Sequence, residues 1–178
     1  MAADQVVARI AALPAGTHFV GIDGFGAAGK TSLAELIAAA VPRAVVVHID
    51  DFAAPDIVEW DWPRLRTQLI QPLRVGREAC YQVSRWDLGL TDEWHTVAPG
   101  SIVIVEGVSS TRREVGAPWA LTVWVDAPPD VRRARAIERD GDAMWPVWQR
   151  QWLPPEQAYA EREQPWARVD LVVPGSTR

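Results

Sequence analysis

Lysine, cysteine and long apolar runs are almost missing from this sequence of 178 residues. Cys80 is the only cysteine, which excludes an intrachain disulfide and a zinc site built from several thiolates. No stretch reaches the roughly 18 to 20 apolar residues of a membrane-spanning helix. The net charge of −5 lacks the basic excess needed to coat nucleic acid or an anionic membrane. These absences predict a cytoplasmic protein that binds neither nucleic acid nor membranes.

The composition is that of an ordinary globular protein, because 48% of the residues are hydrophobic and 23% are charged. A chain of this length fits one domain, so we expect residues 1–178 to form a single unit. The first residues, with Val6, Val7, Ile10 and Leu13 at helical spacing and Asp4 in place of a positive charge, predict an amphipathic helix and not a secretory signal.

Short apolar runs alternate with helical patterns along the chain. Several of these runs are continuous and β-branched, as expected for strands that are covered on both faces. The predicted strands are Phe19 to Asp23, Val45 to Asp50, Ile102 to Glu106, Leu121 to Asp126 and Val169 to Val173. The predicted helices cover about residues 30–41, 63–74, 129–140 and 155–163, and a short hairpin or loops are expected over 76–99. This alternation predicts an α/β fold with a mainly five-stranded parallel sheet.

One motif stands out, the segment GFGAAGKT, which follows a predicted strand and precedes a predicted helix. Its glycines allow successive backbone N–H groups to point at phosphate oxygens, and the helix adds the positive end of its dipole. Lysine in such a motif reaches the β- and γ-phosphates, and the hydroxyl that follows it binds Mg²⁺. The sequence therefore predicts a site for ATP and Mg²⁺ formed by Gly24, Phe25, Gly26, Ala27, Ala28, Gly29, Lys30, Thr31 and Ser32.

Lys30 is also the only lysine in the chain. GTPase switches recognise guanine through a second motif that contains lysine, so their class is disfavoured.

Acidic residues follow three of the predicted strands. Asp50 and Asp51 come after the second, Glu106 ends the third and Asp126 ends the fourth. In an open parallel sheet, ligands bind beyond the carboxyl ends of the strands, so these carboxylates are expected near the phosphates. A phosphoryl acceptor needs a carboxylate to orient its hydroxyl and take its proton, and another often holds Mg²⁺. A helix cap or a turn is the alternative role for both Asp50 and Asp51, more so for Asp51, and a structural role is favoured for Asp126.

The segment PDVRRARAIERDG places Arg132, Arg135 and Arg139 on one helical face. Clustered guanidinium groups are stable around an anion, and a transferring phosphoryl group is one such anion. The three arginines are therefore catalytic candidates. The alternative is a solvated face on which Glu138 and Asp140 act as local partners.

Taken together, GFGAAGKTS, HIDDF, DWP, VIVEGV, VDAPPDVRRARAIERDG and RVDLVVPG resemble the uridine kinase and nicotinamide riboside kinase group of P-loop kinases. That group also includes phosphoribulokinase and bacterial pantothenate kinase. The resemblance runs from Phe19 to Gly175 and is weak between Gly76 and Pro99. It implies a three-layer α/β/α P-loop NTPase fold like that of nucleoside kinases, with a short helical lid at about residues 140–155.

The resemblance also implies roles for single residues. Asp50 is similar in position to the aspartate that acts on the acceptor hydroxyl, and it is both a catalytic and a metal candidate. Glu106, with Thr31, is expected to organise Mg²⁺. Asp61 looks like the aspartate that grips ribose hydroxyls, and Tyr81 like the aromatic residue beside the acceptor base. Where those kinases carry a basic or histidine residue after this aromatic, the chain offers Ser84 and Arg85, so Arg85 is a substrate-binding candidate.

The resulting hypothesis is a Mg²⁺-dependent kinase that transfers the γ-phosphoryl group of ATP to a hydroxyl of a nucleoside, such as uridine or cytidine, or of a related metabolite. A vitamin precursor or an antibiotic is the alternative acceptor, because fold does not decide substrate. A non-catalytic ATP-binding regulatory protein is the other alternative, and a homo-oligomer is left open. Seven tryptophans are expected at the acceptor pocket and lid, either as a stacking wall or, more simply, as lid packing. They are Trp60, Trp62, Trp86, Trp94, Trp145, Trp148 and Trp152.

Overall fold

The computed structural model describes residues 2–54 and 60–175. Its strands are β1 (His18–Asp23), β2 (Ala44–His48), β3 (Ala79–Arg85), β4 (Gly89–Val97), β5 (Ile102–Glu106), β6 (Trp119–Asp126) and β7 (Leu171–Pro174). Five of them form one parallel sheet in the order β2-β5-β1-β6-β7, and the other two form an antiparallel hairpin, β3-β4.

The helices include two runs in which α-helical and π-helical turns follow one another directly. The first run consists of an α-helical turn at Trp62–Arg64, a π-helical turn at Leu65–Ile70 and an α-helical turn at Gln71–Arg74. The second consists of an α-helical turn at Trp145–Val147, a π-helical turn at Trp148–Trp152 and the α-helix Leu153–Glu163. The helices are α1 (Ala2–Ala11), α2 (Lys30–Ala40), α3 (Trp62–Arg64), α4 (Gln71–Arg74), α5 (Pro129–Asp140), α6 (Trp145–Val147) and α7 (Leu153–Glu163). None of the helices within 2–54 and 60–175 is long and apolar enough to cross a membrane.

The central strands are covered on both faces, as their continuous apolar runs predict. In β5, Ile102 and Ile104 belong to a core with α1 and α2, whereas Val103 and Val105 belong to a second core with the helical run that begins at Trp62. Side chains alternate between the two faces of a strand, so both sets must be apolar when both faces are buried. The three-layer α/β/α fold with a five-stranded parallel sheet is therefore confirmed.

The hairpin expected within 76–99 is present, with β3 and β4 paired from Ala79 opposite Val97 to Arg85 opposite Gly89. Its pairing shifts register between Gln82 and Ser84.

The prediction that the second strand reaches Asp50 is wrong at its end. Strand β2 stops at His48, and Ile49–Phe52 forms a 3₁₀ turn. His48 pairs with Glu106, the last residue of β5, and Gly107 then turns away with φ of 145°. Because no backbone partner continues beyond this point, the chain closes its own hydrogen bond from the Ala53 N–H to the Asp50 carbonyl, at 3.0 Å. Asp50 and Asp51 therefore project from a turn and not from an extended segment.

Candidate active site

The segment from Gly24 to Gly29 links the carboxyl end of β1 to the first residue of α2, Lys30. Its backbone takes positive φ angles at Gly24 (148°), Ala27 (59°) and Gly29 (104°). Such changes of backbone hand turn successive N–H groups into one concave surface that suits an anion. At Gly24, a Cβ atom would lie 2.4 Å from the Val125 carbonyl oxygen, so glycine is required. The loop thus has the shape that the motif predicts.

Lys30 is buried, with 7% of its surface exposed, and its Nζ donates to the Phe25 carbonyl at 2.8 Å. The ammonium group is therefore held within the loop. Phosphate oxygens are the partners that a P-loop lysine of this kind binds when nucleotide is present.

Glu106 lies at the carboxyl end of β5, beside the start of α2. Its Oε1 accepts a hydrogen bond from Thr31 Oγ1 at 3.1 Å and lies 2.6 Å from His48 Nδ1. The hydrogen bond to Glu106 raises the pKa of His48, against the opposing effect of partial burial. A buried carboxylate thus meets the hydroxyl of the loop, which is the pair of oxygen ligands expected for Mg²⁺.

The pair of Thr31 and Glu106 suits Mg²⁺ although it offers only two protein ligands. Among residues 2–54 and 60–175, no group of three or more His, Cys, Asp or Glu side chains could hold a metal ion. Mg²⁺ is usually held by one or two carboxylates together with substrate phosphates, and so needs no such group.

Asp50 lies just beyond the carboxyl end of β2, in the 3₁₀ turn. Its carboxylate accepts no hydrogen bond from the residues that the structure describes. Solvent reaches this side chain. The surrounding walls nevertheless desolvate the carboxyl in part, which raises the pKa of Asp50, and the Glu106 carboxylate raises it further. Lys30 and His48 oppose that shift. A carboxylate that accepts no hydrogen bond from the described part of the chain and has a raised pKa is suited to accept a proton.

A cavity of about 1180 Å³ joins the loop to the strand ends. Its lining contains ten of the residues that the sequence singles out for the site. They are Gly26, Ala27, Gly29, Lys30, Thr31, Ser32, Asp50, Glu106, Arg135 and Arg139.

The three arginines of α5 take different places. Arg135 donates to the carbonyls of Ala27 and Ala28, at 3.4 and 3.2 Å, and Arg139 pairs through two nitrogens with Asp140, at 2.8 and 3.0 Å. Both line the large cavity. Arg132 instead lies over the Phe25 ring, with its guanidinium carbon 4.4 Å from the ring centroid. The shared helical face therefore brings two of the three guanidinium groups to the cavity.

A second cavity, of about 390 Å³, lies between the hairpin and the turn that carries Asp50 and Asp51. Arg85 is in its wall, and Tyr81 stands just behind it, donating its hydroxyl to Asp51 Oδ2 at 3.3 Å. Trp86 lines both cavities, as does Asp50. Asp50 thus stands where the phosphate-side cavity and the hairpin-side cavity meet.

Asp61 lies in neither cavity lining and caps the start of α3. Its Oδ1 accepts the Arg64 N–H at 3.0 Å, and its Oδ2 lies 3.4 Å from Arg64 Nε. In this structure the carboxylate is occupied by the helix that it caps.

The tryptophans divide between cavity wall and packing. Trp60 and Trp86 are in contact, with 4.7 Å between ring centroids and the ring planes tilted by 56°, and both line the large cavity. Trp148 is buried against Gly26, where a Cβ atom would lie 2.5 Å from the indole ring. Trp94 is 51% exposed.

Three residues of the site escaped the sequence interpretation: Asp23, Tyr159 and Glu156. The fully buried Asp23 carboxylate accepts hydrogen bonds from the Tyr159 hydroxyl at 2.6 Å and from Gly24, Ser109 and Thr111. Glu156, on α7, accepts from the Gly26 N–H. The one signal in the sequence was an aspartate that ends an otherwise apolar strand. The contacts with α7 left no local pattern.

Comparisons with known proteins agree with this geometry. No protein-family model matches the chain. Over 146 residues, 69% of the chain, the sequence is 28% identical to uridine kinase of Schizosaccharomyces pombe (strain 972 / ATCC 24843). The matched region is 32% of that protein, so the chain spans about a third of the length of this relative.

Two solved structures share the fold. One is a possible uridine kinase from Bacillus stearothermophilus, with a TM-score of 0.72, 22% identity and 96% of each chain covered. The other is a candidate fructose transport system kinase from Silicibacter sp. TM1040, with a TM-score of 0.72, 19% identity and 97% of each chain covered. The chain therefore resembles P-loop kinases of the uridine kinase type in sequence and in fold.

Proposed function

We propose that this chain, with its likeness to uridine kinase-type P-loop kinases, transfers the γ-phosphoryl group of ATP to a hydroxyl of a nucleoside or a closely related small metabolite. The observation that supports this most strongly is the position of Asp50. Its carboxylate, which accepts no hydrogen bond from residues 2–54 and 60–175, lies at the junction of the cavity that contains the phosphate loop and the cavity under the hairpin. A protein that only binds nucleotide has no need of a carboxylate there.

On the nucleotide side, the loop amides and Lys30 would bind the phosphates. Thr31 and Glu106 would hold Mg²⁺, which when bound supplies charge neutralisation and alignment of the phosphate oxygens. Arg135 and Arg139, in the same cavity lining, would stabilise negative charge as the phosphoryl group moves. Arg139 would then exchange part of its pairing with Asp140 for phosphate oxygens.

On the acceptor side, Asp50 would orient the hydroxyl and accept its proton as the oxygen bonds to phosphorus and the bond to the leaving phosphate breaks. The acceptor itself would lie against the hairpin, within reach of Arg85 and of the Trp60 and Trp86 rings. Aromatic faces stack on flat rings, which favours a nucleoside base as the non-reacting part of the acceptor.

The test is transfer from ATP with Mg²⁺ across a panel of nucleosides, vitamin precursors and hydroxyl-bearing antibiotics, with and without the Asp50→Asn change. We expect a phosphorylated product from a nucleoside, and a loss of about 10²- to 10⁴-fold in kcat for Asp50→Asn. The affinity for an ATP analogue should stay within about twofold, because the loop is untouched.

Asp92→Asn is the matched control, since Asp92 is exposed on β4 and lies in neither cavity lining. Unimpaired transfer by Asp50→Asn would show that Asp50 is not the base. A wild-type protein that binds ATP and phosphorylates no member of the panel would favour the regulatory alternative.

A further inference from the structure

In this structure the phosphate loop is in contact with an acidic side chain of the protein itself. Both carboxylate oxygens of Glu156 lie 3.1 Å from the Gly26 nitrogen, whose N–H donates to them. The two residues are 130 positions apart in the chain. Glu156 is 6% exposed and lies in the wall of the large cavity together with Lys30 and Thr31.

The charges around Glu156 are those of a phosphate site. Lys30 and Arg132 attract its carboxylate, with Arg132 Nη1 at 4.0 Å, while the Asp23 carboxylate repels it. Burial raises the pKa of Glu156, and Lys30, the Gly26 N–H and Arg132 act in the opposite direction. The Gly26 amide is thus bonded to an acidic side chain of the protein, and Lys30 attracts the same side chain.

The contact is built into the packing of α7 against the loop. A Cβ atom on Gly26 would lie 2.7 Å from Glu156 Oε1 and 2.5 Å from the Trp148 ring, so only glycine admits both side chains. One turn further along α7, the Tyr159 hydroxyl donates to the buried Asp23 carboxylate at 2.6 Å. The helix is therefore fixed at Tyr159 while its first turn lies over the loop.

The first turn of α7 is held by fewer backbone donors than the rest of the helix. It contains Pro154 and Pro155, which have no N–H to donate, and it follows the π-helical turn Trp148–Trp152. Single π-helical turns within α-helices often lie at functional sites. A shift of this turn, or a rotation of the Glu156 side chain, would free the Gly26 N–H without disturbing the bond at Tyr159.

We propose that Glu156 is a gate on the phosphate loop, and that its carboxylate competes with the nucleotide phosphates for the loop. Nucleotide then binds with high affinity only after the carboxylate has left Gly26. This inference rests on the proposed function, since it assumes that the loop binds a nucleoside triphosphate. It adds a cost to nucleotide binding that the phosphate-loop motif by itself does not contain.

The test compares the affinity of the β,γ-imido analogue of ATP, with Mg²⁺, for the wild type and for Glu156→Gln by titration calorimetry. Glutamine keeps the size of the side chain and removes its charge, so the analogue should bind roughly tenfold more tightly to the variant. Glu161→Gln is the matched control, because Glu161 is exposed on the same helix. It makes the same change in net charge and should leave the affinity within about twofold.

A second measurement needs no nucleotide. In an amide correlation spectrum of the ligand-free protein, the Gly26 resonance should shift in Glu156→Gln and stay in place in Glu161→Gln. Equal affinities of the wild type and Glu156→Gln, or an unchanged Gly26 resonance in Glu156→Gln, would contradict the proposal that Glu156 is a gate. Neither result would contradict the proposed function. Failure of all three proteins to bind the analogue would overturn both.

Discussion

The two cavities that meet at Asp50 are built in different ways. The phosphate-side cavity is formed by a backbone loop and the ends of buried strands, and the first N–H of the loop, at Gly24, donates to the fully buried Asp23. The hairpin-side cavity is formed by single side chains of β3 and β4, a hairpin on which Leu88 is 68% exposed and Trp94 51% exposed. A backbone cradle constrains the sequence strongly because only glycine fits its tightest points. A wall of side chains leaves the sequence much freer, so the phosphate-side cavity can be recognised from the sequence more closely than the hairpin-side cavity.

The two tyrosines of the chain repeat this contrast at the level of one hydrogen bond. Tyr159 donates to Asp23 at 2.6 Å in a site closed to solvent, whereas Tyr81 donates to the half-buried Asp51 at 3.3 Å. Burial raises the pKa of both phenols, and the carboxylate partner of each raises it further. Four experiments, in decreasing order of expected effect, test whether the phosphate side is the more tightly constrained of the two.

The largest effect is expected on the phosphate side. Lys30→Gln removes the only ammonium side chain in the chain and should lower kcat/KM for phosphoryl transfer by at least about 100-fold, because one charged donor to a transferring group contributes that much. The measurement is steady-state transfer together with the affinity for the acceptor alone. If acceptor affinity fell as far as transfer did, the two cavities would not be separate in function.

The tyrosine pair gives the next effect, measured as the free energy of unfolding in urea. Tyr159→Phe removes one donor from a buried carboxylate that water cannot reach, and should cost about 1 to 3 kcal/mol. Tyr81→Phe should cost less than about 1 kcal/mol, because water can take the place of its hydroxyl at Asp51. Equal losses for the two variants would mean that the hairpin side is as tightly constrained as the phosphate side.

A smaller effect is expected for Arg85→Gln. Arg85 lies in the wall of the hairpin-side cavity, with its Nη2 3.8 Å from Glu93 Oε2. Because a side chain of this wall would contact the acceptor, its loss should raise KM for the acceptor by up to about tenfold and leave the affinity for ATP unchanged. Arg74→Gln, an exposed arginine in α4, is the control. A change in ATP affinity without a change in acceptor KM would mean that Arg85 acts in the phosphate-side cavity and not in the hairpin-side cavity.

The smallest effect concerns pH. The ordinary pKa of histidine is 6.5, and the hydrogen bond to Glu106 raises the pKa of His48 above that value. The resulting stabilisation is fully present below about pH 6.5 and is lost as the pH rises through the higher value of the folded state. Unfolding followed from about pH 5.5 to 8.5 should show the wild type losing stability relative to His48→Gln. The effect should be modest because the His48 side chain is 43% exposed. Parallel pH profiles would contradict it.

Much of the fold could be predicted because its signals are local. Continuous apolar runs marked the five sheet strands, and the glycines and lysine of the loop marked its position between β1 and α2. The end of β2 was missed because it depends on where its partner β5 stops, at Glu106. The arginine face was predicted as one group, yet only Arg135 and Arg139 reach the cavity, because the Phe25 ring holds Arg132 beside the loop.

The phosphate loop, the parallel sheet and the carboxylates at its edge follow from local sequence patterns. Each of these depends on residue types within a few positions of one another. The contacts of Glu156 with Gly26, 130 positions away, and of Tyr159 with Asp23, 136 positions away, arise from the folded structure. No local preference encodes such contacts, because they depend on where α7 packs relative to β1 and the loop. The phosphate loop therefore could be recognised from the sequence, and the side chain that now holds it could not.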